Sequence, residues 1–466
     1  MKITFLGAAQ GVTGSKHLIE TKGQKILLDC GSFQGHRDIT HQSNSVLAPE
    51  INNLDAVILS HAHADHCCSL PLLVKNGYNK KIYATSATID IARLIMLDAA
   101  KIQENDYEHL KKSGIQGILP PIYSEEDVEK TCQLFKETPY CKNFPEWQNL
   151  GSKIDFKFYN AGHILGSAIT IIKYGQKNTE KILAYTGDLG NTNVPILPNP
   201  EYILEPVEIL ISECTYGDRN HQPIKEAFDF LEKIINEAVT DQSRIIVPAF
   251  ALGRTQELIY ILHKLHNDGR IPVIPIYLDS PLGNNITDVF KKHNADFDKQ
   301  TWQDFINNNE SPFSFEKLNY IKTVTESKML AQKIGPLIII ASSGMLEGGR
   351  ILHHLKNNIG NPKSTILLTG YQAENTLGRK LQSGEKKVRI YGELFEVRAK
   401  ILSLDELSAH ADQTGLLNYI LTLKDLKKLF LVHTEHQSAN IFSKLIQEQK
   451  PDLEIIIPEL GSSFEV

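Results

Sequence analysis

Along the first 210 or so positions, apolar residues fall in short runs separated by glycines and polar turns. Residues 3–7, 16–20 and 25–29 read as strands, punctuated by Gly11, Gly14 and Gly23. Residues 55–60 form another apolar run, and 69–75 begin a helix. Helical spacing covers 86–112 and stops at Gly114. A second helix is expected over 124–135, with Ser124 as its N-cap and Asp127 three residues on. Strand character returns at 154–159, 168–173 and 181–185. Near residue 215 the pattern changes. Helices at 223–239, 254–266 and 349–357 alternate with strands at 244–250, 271–278, 336–341 and 364–369. Such alternation predicts a parallel sheet covered on both faces. Residues 388–404 read as β again, followed by a helix at 412–421, a strand at 429–433 and a helix at 439–447. The stretch 307–314 is polar and loop-like, and no internal repeat is visible.

Composition narrows the class. At 466 residues, two domains are the natural division. The chain is 41% hydrophobic and 22% charged, as in soluble globular proteins. Its net charge of −6 excludes a protein that coats nucleic acid through bulk basicity. A nucleic-acid substrate would need a local cationic cleft and metals. The six cysteines form no C-x-x-C pair and no disulfide framework, which points to a reducing, cytoplasmic setting. The start lacks the apolar core of a signal peptide, and no stretch approaches a membrane span, so no membrane partner is expected.

The chemistry concentrates in His61-Ala62-His63-Ala64-Asp65-His66, at the end of the 55–60 run. Histidines two apart on an extended backbone point the same way, so His61 and His63 can grip one ion. Asp65 and His66 follow a turn and can reach a second. His163 sits in a glycine-flanked loop, Asp188 closes an apolar strand after Thr186-Gly187, and His433 ends another strand. His109, His263, His266 and His293 lie among polar neighbours on helices and read as structural or solvated. His353 and His354, early in a helix, are also left outside the ligand set.

The set His61-x-His63-x-Asp65-His66, His163 and Asp188 resembles the metallo-β-lactamase fold hydrolases. Asp29, in Leu27-Leu28-Asp29-Cys30-Gly31, matches that family's first acidic motif, which supports the ligands from behind. Ser212-Glu213-Cys214-Thr215-Tyr216-Gly217 resembles motif A of the β-CASP subfamily, Ser408-Ala409-His410-Ala411-Asp412 motif B, and Val432-His433-Thr434-Glu435 motif C. Thr434 and Cys68 stand where glycine is common in the family. Cys67 and Cys68 are read as packing residues, because histidines and aspartates already fill two sites. A KH-type N-terminal extension and the long C-terminal domain of the J type are not seen in this sequence.

The resemblance implies an α/β architecture: a metallo-β-lactamase αββα sandwich with an inserted Rossmann-like β-CASP domain. The expected limits are 1–208 and 396–466 for the sandwich and 209–395 for the insert. It also implies two Zn²⁺ per chain, with His61, His63 and His163 on one, Asp65, His66 and His433 on the other, and Asp188 bridging. Two metals about 3.5–4 Å apart can share a hydroxide that attacks phosphorus in line. His410 is the expected general acid and Glu213 its partner. Ser342-Ser343-Gly344 follows a strand and Gly348-Gly349 precedes a helix, a geometry suited to phosphate. Arg254 and Arg379 occupy comparable glycine-flanked places, and Phe250 reads equally as a base-stacking or a core ring.

The implied activity is a zinc-dependent ribonuclease acting inside single-stranded RNA. Three other enzymes share the fold: a 5′ exonuclease, a DNA-processing β-CASP nuclease, and a small-substrate metallohydrolase. His433 argues against the DNA branch, which usually lacks that histidine, and the insert argues against the small-substrate enzymes. A non-catalytic RNA-binding scaffold would have lost metal ligands, whereas every ligand position is occupied here. A homodimer is compatible with the resemblance, although no interface can be read from the sequence.

Overall fold

The structure is a computed structural model that describes residues 1–35, 37–114, 118–151, 154–175, 180–404 and 406–466. The chain divides into two compact units. The first comprises Met1–Thr192, Asn199–Asn220 and His410–Val466; the second comprises Asn193–Pro198 and His221–Ala409.

The first unit is built on two seven-stranded sheets. One has the order Ser463–Glu465, Lys2–Phe5, His17–Thr21, Gln24–Leu28, Ala56–Ile58, Ile82–Ala84 and Phe135–Glu137. The other has the order Glu454–Ile456, Lys428–Val432, Ile209–Glu213, Lys181–Tyr185, Ala168–Tyr174, Ile154–Asn160 and Gln148–Gly151. The central strands of the second sheet carry apolar residues on both faces, because both faces are covered. Leu183, Tyr185, Ile209, Ile211, Phe430 and Val432 face the first sheet and meet Ile3, Phe5, Ile26, Leu28 and Ile58. The alternate residues Ile182, Ala184, Leu210, Leu429 and Leu431 turn the other way, onto Leu416, Tyr419 and Ile420 of the helix Gln413–Thr422 and Phe442 and Ile446 of His436–Gln449. The helix Glu125–Cys132 packs on both Leu70–Lys75 and Ser86–Lys112.

The second unit carries a six-stranded sheet, parallel throughout, in the order Leu318–Tyr320, Ile276–Leu278, Leu337–Ala341, Arg244–Pro248, Ser364–Thr369 and Lys400–Leu404. Ile246, Leu337, Ile339, Ile366 and Leu368 pack with Ile351, Leu355, Leu377 and Leu381 from two helices.

Several expectations shift. The compact units divide at 220/221 and 409/410, whereas the limits expected from the resemblance are 208/209 and 395/396. Ile209–Glu213 stays with the sandwich because it pairs on both sides, with Lys181–Tyr185 and Lys428–Val432. Lys400–Leu404 stays with the second unit because it pairs with Ser364–Thr369. The strand expected at 271–278 is confined to Ile276–Leu278. Pro272 and Pro275 lack the amide hydrogen that an interior strand must donate. The β segment at 388–404 is two things: a hairpin of Lys387–Ile390 and Glu393–Glu396, turning at Tyr391-Gly392 with positive φ at both, and the separate strand Lys400–Leu404. The helix expected at 124–135 ends at Cys132, and Phe135–Glu137 is a strand, although the Ser124–Asp127 capping box is present. Helices Arg37–Ser45 and Pro281–Lys292 and the three-residue strands Ile82–Ala84 and Ser463–Glu465 were not expected. Three residues are too few to reveal a period. Among the described residues no helix is long and apolar enough to cross a membrane.

Phe430 is fully buried, with its ring 5.0 Å from Phe5 and 5.3 Å from Phe464. Phe430→Ala is therefore expected to destabilise the first unit by about 3–5 kcal/mol. Denaturant unfolding followed by circular dichroism checks this, and an unchanged midpoint would contradict the packing described.

Candidate active site

All the histidines and acids singled out around the hexapeptide lie in the first unit, at the ends of its strands. His61 follows the strand Ala56–Ile58, and His63, still extended at φ −64° and ψ 150°, caps the short helix Ala64–Cys67. The backbone therefore turns between His63 and Asp65, which sends Asp65 and His66 to a different place from His61 and His63. His163 comes from the loop after Ile154–Asn160, Asp188 from the loop after Lys181–Tyr185, Glu213 from the end of its own strand, and His433 from just beyond Lys428–Val432. His433 takes a left-handed φ of 51°, and its amide donates to the carbonyl of Ala8 at 2.7 Å. His410 is bridged to Gly190, and Ala411 N donates to Leu189 O at 2.8 Å, which ties the His410 segment to the Asp188 loop. That loop passes so close to His163 that a Cβ at Gly190 would overlap Gly162 and the His163 amide nitrogen. A Cβ at Gly31 would likewise overlap the backbone of Asp65 and His66.

The side chains form two groups on either side of one carboxylate. Nδ1 of His63 lies 3.0 Å from Nε2 of His61 and 3.2 Å from Nε2 of His163. Oδ2 of Asp188 lies 3.3 Å from Nε2 of His61 and 3.5 Å from Nε2 of His163. On the other side, Oδ1 of Asp188 is 3.3 Å from Nε2 of His66 and 3.8 Å from Nε2 of His433. Oδ2 of Asp65 is 3.3 Å from Nε2 of His433 and 3.9 Å from Nε2 of His66.

These spacings test whether the donor set suits a metal. Ligand atoms bound at about 2.0–2.1 Å to one tetrahedral ion lie about 3.3–3.4 Å from each other. Both groups scatter around that separation. In addition, Nε2 of His66 and Oδ1 of Asp188 are buried and make no hydrogen bond, an arrangement that is costly unless a cation satisfies them. The residues fit divalent metal binding. Neither Cys67 nor Cys68 belongs to a ligand cluster among the described residues; both thiols are buried, and Sγ of Cys67 donates to the carbonyl of Ala62 at 3.5 Å.

A second layer aims the ligands. Asp29 is fully buried and also left-handed, with φ 58°. Its Oδ1 accepts the Ser60 amide at 2.7 Å. Its Oδ2 accepts the Ser60 and Tyr185 hydroxyls and lies beside Nδ1 of His66, each at 2.7 Å. Since the Ser60 proton goes to Asp29, Ser60 Oγ accepts from Nδ1 of His61 at 3.0 Å, and Nε2 of His61 is left for an ion. Glu213, fully buried, accepts the Leu189 amide at 2.6 Å and the Thr215 hydroxyl at 2.5 Å. Its two oxygens lie 2.9 and 3.1 Å from Nδ1 of His410. Thr215, Ser60 and Tyr185 were not singled out from sequence. Thr215 stands two residues after Glu213 in a quoted motif, whereas nothing in the sequence marks Tyr185.

Electrostatics follow from burial and these partners. Burial alone would raise the carboxyls of Asp29, Asp65 and Asp188, but the adjacent imidazoles outweigh it and hold all three below the ordinary range. Burial lowers His61, His63 and His163, with His63 brought down to about 3, which keeps these rings neutral as ligands must be. At His410 burial also acts downward, yet the Glu213 carboxylate outweighs it and the ring is raised to about 9.

The remaining expected residues lie in the second unit. Ser342 Oγ pairs with Ser280 Oγ at 2.8 Å, and Ser343 Oγ accepts the amides of Glu347 and Gly348 at 3.1 and 3.3 Å. Gly344 packs on the ring of Phe250, which is 41% exposed and therefore not a core aromatic. Arg254 is paired with Glu257 at 2.8 Å, while its buried Nε has no hydrogen-bond partner. Arg379 donates to Gln382 at 3.3 Å. His354 is held by the buried Asp279 at 2.6 Å, which also binds Arg350 at 2.6 Å.

Residues 18–192 match the metallo-beta-lactamase superfamily domain, 255–381 the Beta-Casp domain, and 395–458 the Zn-dependent metallo-hydrolase RNA specificity domain. Ribonuclease TTHA0252 of Thermus thermophilus is 35% identical over 448 residues, 96% of each chain. An RNase J-like protein of Methanocaldococcus jannaschii is 32% identical over 450 residues, 95% of each. The transcription termination factor FttA of the same organism is 30% identical over 96% of this chain and 69% of its own. A crystal structure of a protein of unknown function from Enterococcus faecalis V583 shares the fold at 14% identity, with a TM-score of 0.55 over 99% of both chains. The clustered histidines and aspartates, the domain matches and the full-length identity together establish that this chain belongs to the β-CASP branch of the metallo-β-lactamase superfamily and is a metal-dependent hydrolase.

Proposed function

We propose that the chain is a zinc-dependent ribonuclease that hydrolyses phosphodiester bonds within single-stranded RNA. The observation that carries this reading is Asp188, whose two oxygens face two separate imidazole groups. RNA as the substrate is supported by the match of residues 395–458 to an RNA specificity domain and by relatives named ribonuclease and RNase J-like protein. An imidazole-rich set with few carboxylates suits zinc better than magnesium, which prefers oxygen ligands. In this reading His61, His63 and His163 would hold one zinc and Asp65, His66 and His433 the other, with Asp188 available to both. Zinc, when bound, supplies Lewis-acid activation of water and neutralises charge on the phosphate.

The chain itself handles the leaving group. Glu213 accepts the Nδ1 proton of His410, so the proton for the departing 3′ oxygen comes from Nε2. The raised basicity of His410 keeps that proton in place at neutral pH. The expected products are a 5′-phosphate and a 3′-hydroxyl. Ser342, Ser343, Gly344, Arg254 and Arg379 remain the candidates for holding phosphates outside the metal site.

Cleavage of 5′-labelled single-stranded RNA, with zinc quantified in each protein, tests this. Asp188→Ala is expected to lose both metal and activity. His410→Ala is expected to retain zinc while its rate falls by about 10²–10⁴. Equal activity in wild type and both variants would end the mechanism. A chelator should abolish cleavage, and zinc, not magnesium, should restore it. Cutting inside the strand predicts equal rates on 5′-triphosphate and 5′-monophosphate substrates; a strong monophosphate preference would point to 5′ exonuclease action instead.

A further inference from the structure

Around the two groups the same device occurs twice, and only one copy is explained by the ligands' immediate sequence. On one side a carboxylate, a hydroxyl and an imidazole run in line from Asp29 through Ser60 to His61. On the other, Glu213, Thr215 and His433 form the equivalent line. Thr215 Oγ1 lies 2.5 Å from Glu213 Oε2 and 3.0 Å from His433 Nδ1. It also lies 3.1 Å from the His433 carbonyl oxygen. A hydroxyl has one proton to give. Two oxygens 2.5 Å apart require a proton between them, so that proton goes to Glu213 and not to the more distant carbonyl. The hydroxyl can then only accept from His433, whose proton is thereby fixed on Nδ1. Nε2 of His433, 3.3 Å from Oδ2 of Asp65, then points into the Asp65–His66–His433 group, where giving up its proton would leave a lone pair for an ion.

We propose that Thr215 is a positioning residue for metal binding: its hydroxyl sets the tautomer and ring orientation of His433 and ties that ligand to the same carboxylate that holds His410. This rests on the reading of His433 as a zinc ligand. Glu213 then serves both the proton donor and, through Thr215, one of the two ion sites. Asp29 reaches a ligand in each group, His61 through Ser60 and His66 directly, whereas Glu213 reaches only His433 among the ligands, through Thr215, so removing the Thr215 hydroxyl should weaken the ion at His433 and spare the other.

The test is zinc titration of the metal-free full-length protein against a chromophoric chelator, with wild type, Thr215→Val, Thr215→Ser and His433→Ala compared. Valine keeps the shape and removes the hydroxyl; serine keeps the hydroxyl. In Thr215→Val one zinc should bind as in wild type and the other about 10–100-fold more weakly. Thr215→Ser should bind both as wild type does, and His433→Ala should weaken the same single ion as Thr215→Val. Unchanged affinity for both ions in Thr215→Val, with His433→Ala still weakened, would overturn the role of Thr215 while leaving the ligand set intact. Equal weakening in the valine and serine variants would also overturn it, since the hydroxyl would not be the cause. Two undiminished ions in His433→Ala would overturn the ligand reading and this inference with it.

Discussion

Six imidazoles, those of His61, His63, His66, His163, His410 and His433, and four carboxylates, those of Asp29, Asp65, Asp188 and Glu213, crowd the end of a β sandwich, and a polar cluster of that size is tolerable in an interior only if its atoms are held by fixed partners. Much of the local architecture follows from that requirement. Asp29 alone serves Ser60, Tyr185 and His66 from one oxygen. Glu213 serves Leu189, Thr215 and His410. The two acids stand on different strands, and together they reach His61, His66, His410 and His433, directly or through a hydroxyl. Nε2 of His66 and Oδ1 of Asp188 remain without a hydrogen bond, 3.3 Å apart on the side of Asp65 and His433, where a cation would satisfy both.

The sandwich makes such a cluster affordable. Strands apolar on both faces bind the core through two sets of alternate side chains, so the sheets are rigid without help from the site. Their ends are then free to carry polar groups. Asp29, His61, Asp188, Glu213 and His433 all lie at or just beyond strand termini, and pairing of neighbouring strands fixes their spacing. This is why Ile209–Glu213 remains in the first unit: it brings Glu213 between the strands that lead to Asp188 and His433.

Glycine matters where two loops must nearly touch. Gly31 lies against the Asp65–His66 backbone, and Gly190 against Gly162 and His163. At each position a side chain would push a ligand-bearing loop away. The left-handed Asp29 and His433 show the complementary case. Both residues adopt a conformation that side chains disfavour, and both are held there by hydrogen bonds, from Asp29 N to Ile58 O at 2.9 Å and from His433 N to Ala8 O.

Spacing in the chain was enough to gather the chemical groups. Histidines two apart on an extended run, then an acid and a histidine past a turn, define two directions before any folding is known, and acids or histidines closing apolar strands project from sheet ends. The long helices and the parallel second sheet were legible for the same reason, because periodicity is a local property. Sequence did not reveal Ser60 or Thr215 as relays, the tautomers they set, or the left-handed turns at Asp29 and His433. Nor did it reveal the pairing of Ile209–Glu213 with Lys428–Val432, strands more than two hundred residues apart in the chain. A hydrogen bond between Thr215 and His433, or a loop approach that only Gly190 permits, exists once distant segments are brought together. Sequence pointed to the candidate ligands, and tertiary structure decided which hydroxyls stand beside Nδ1 of His61 and of His433.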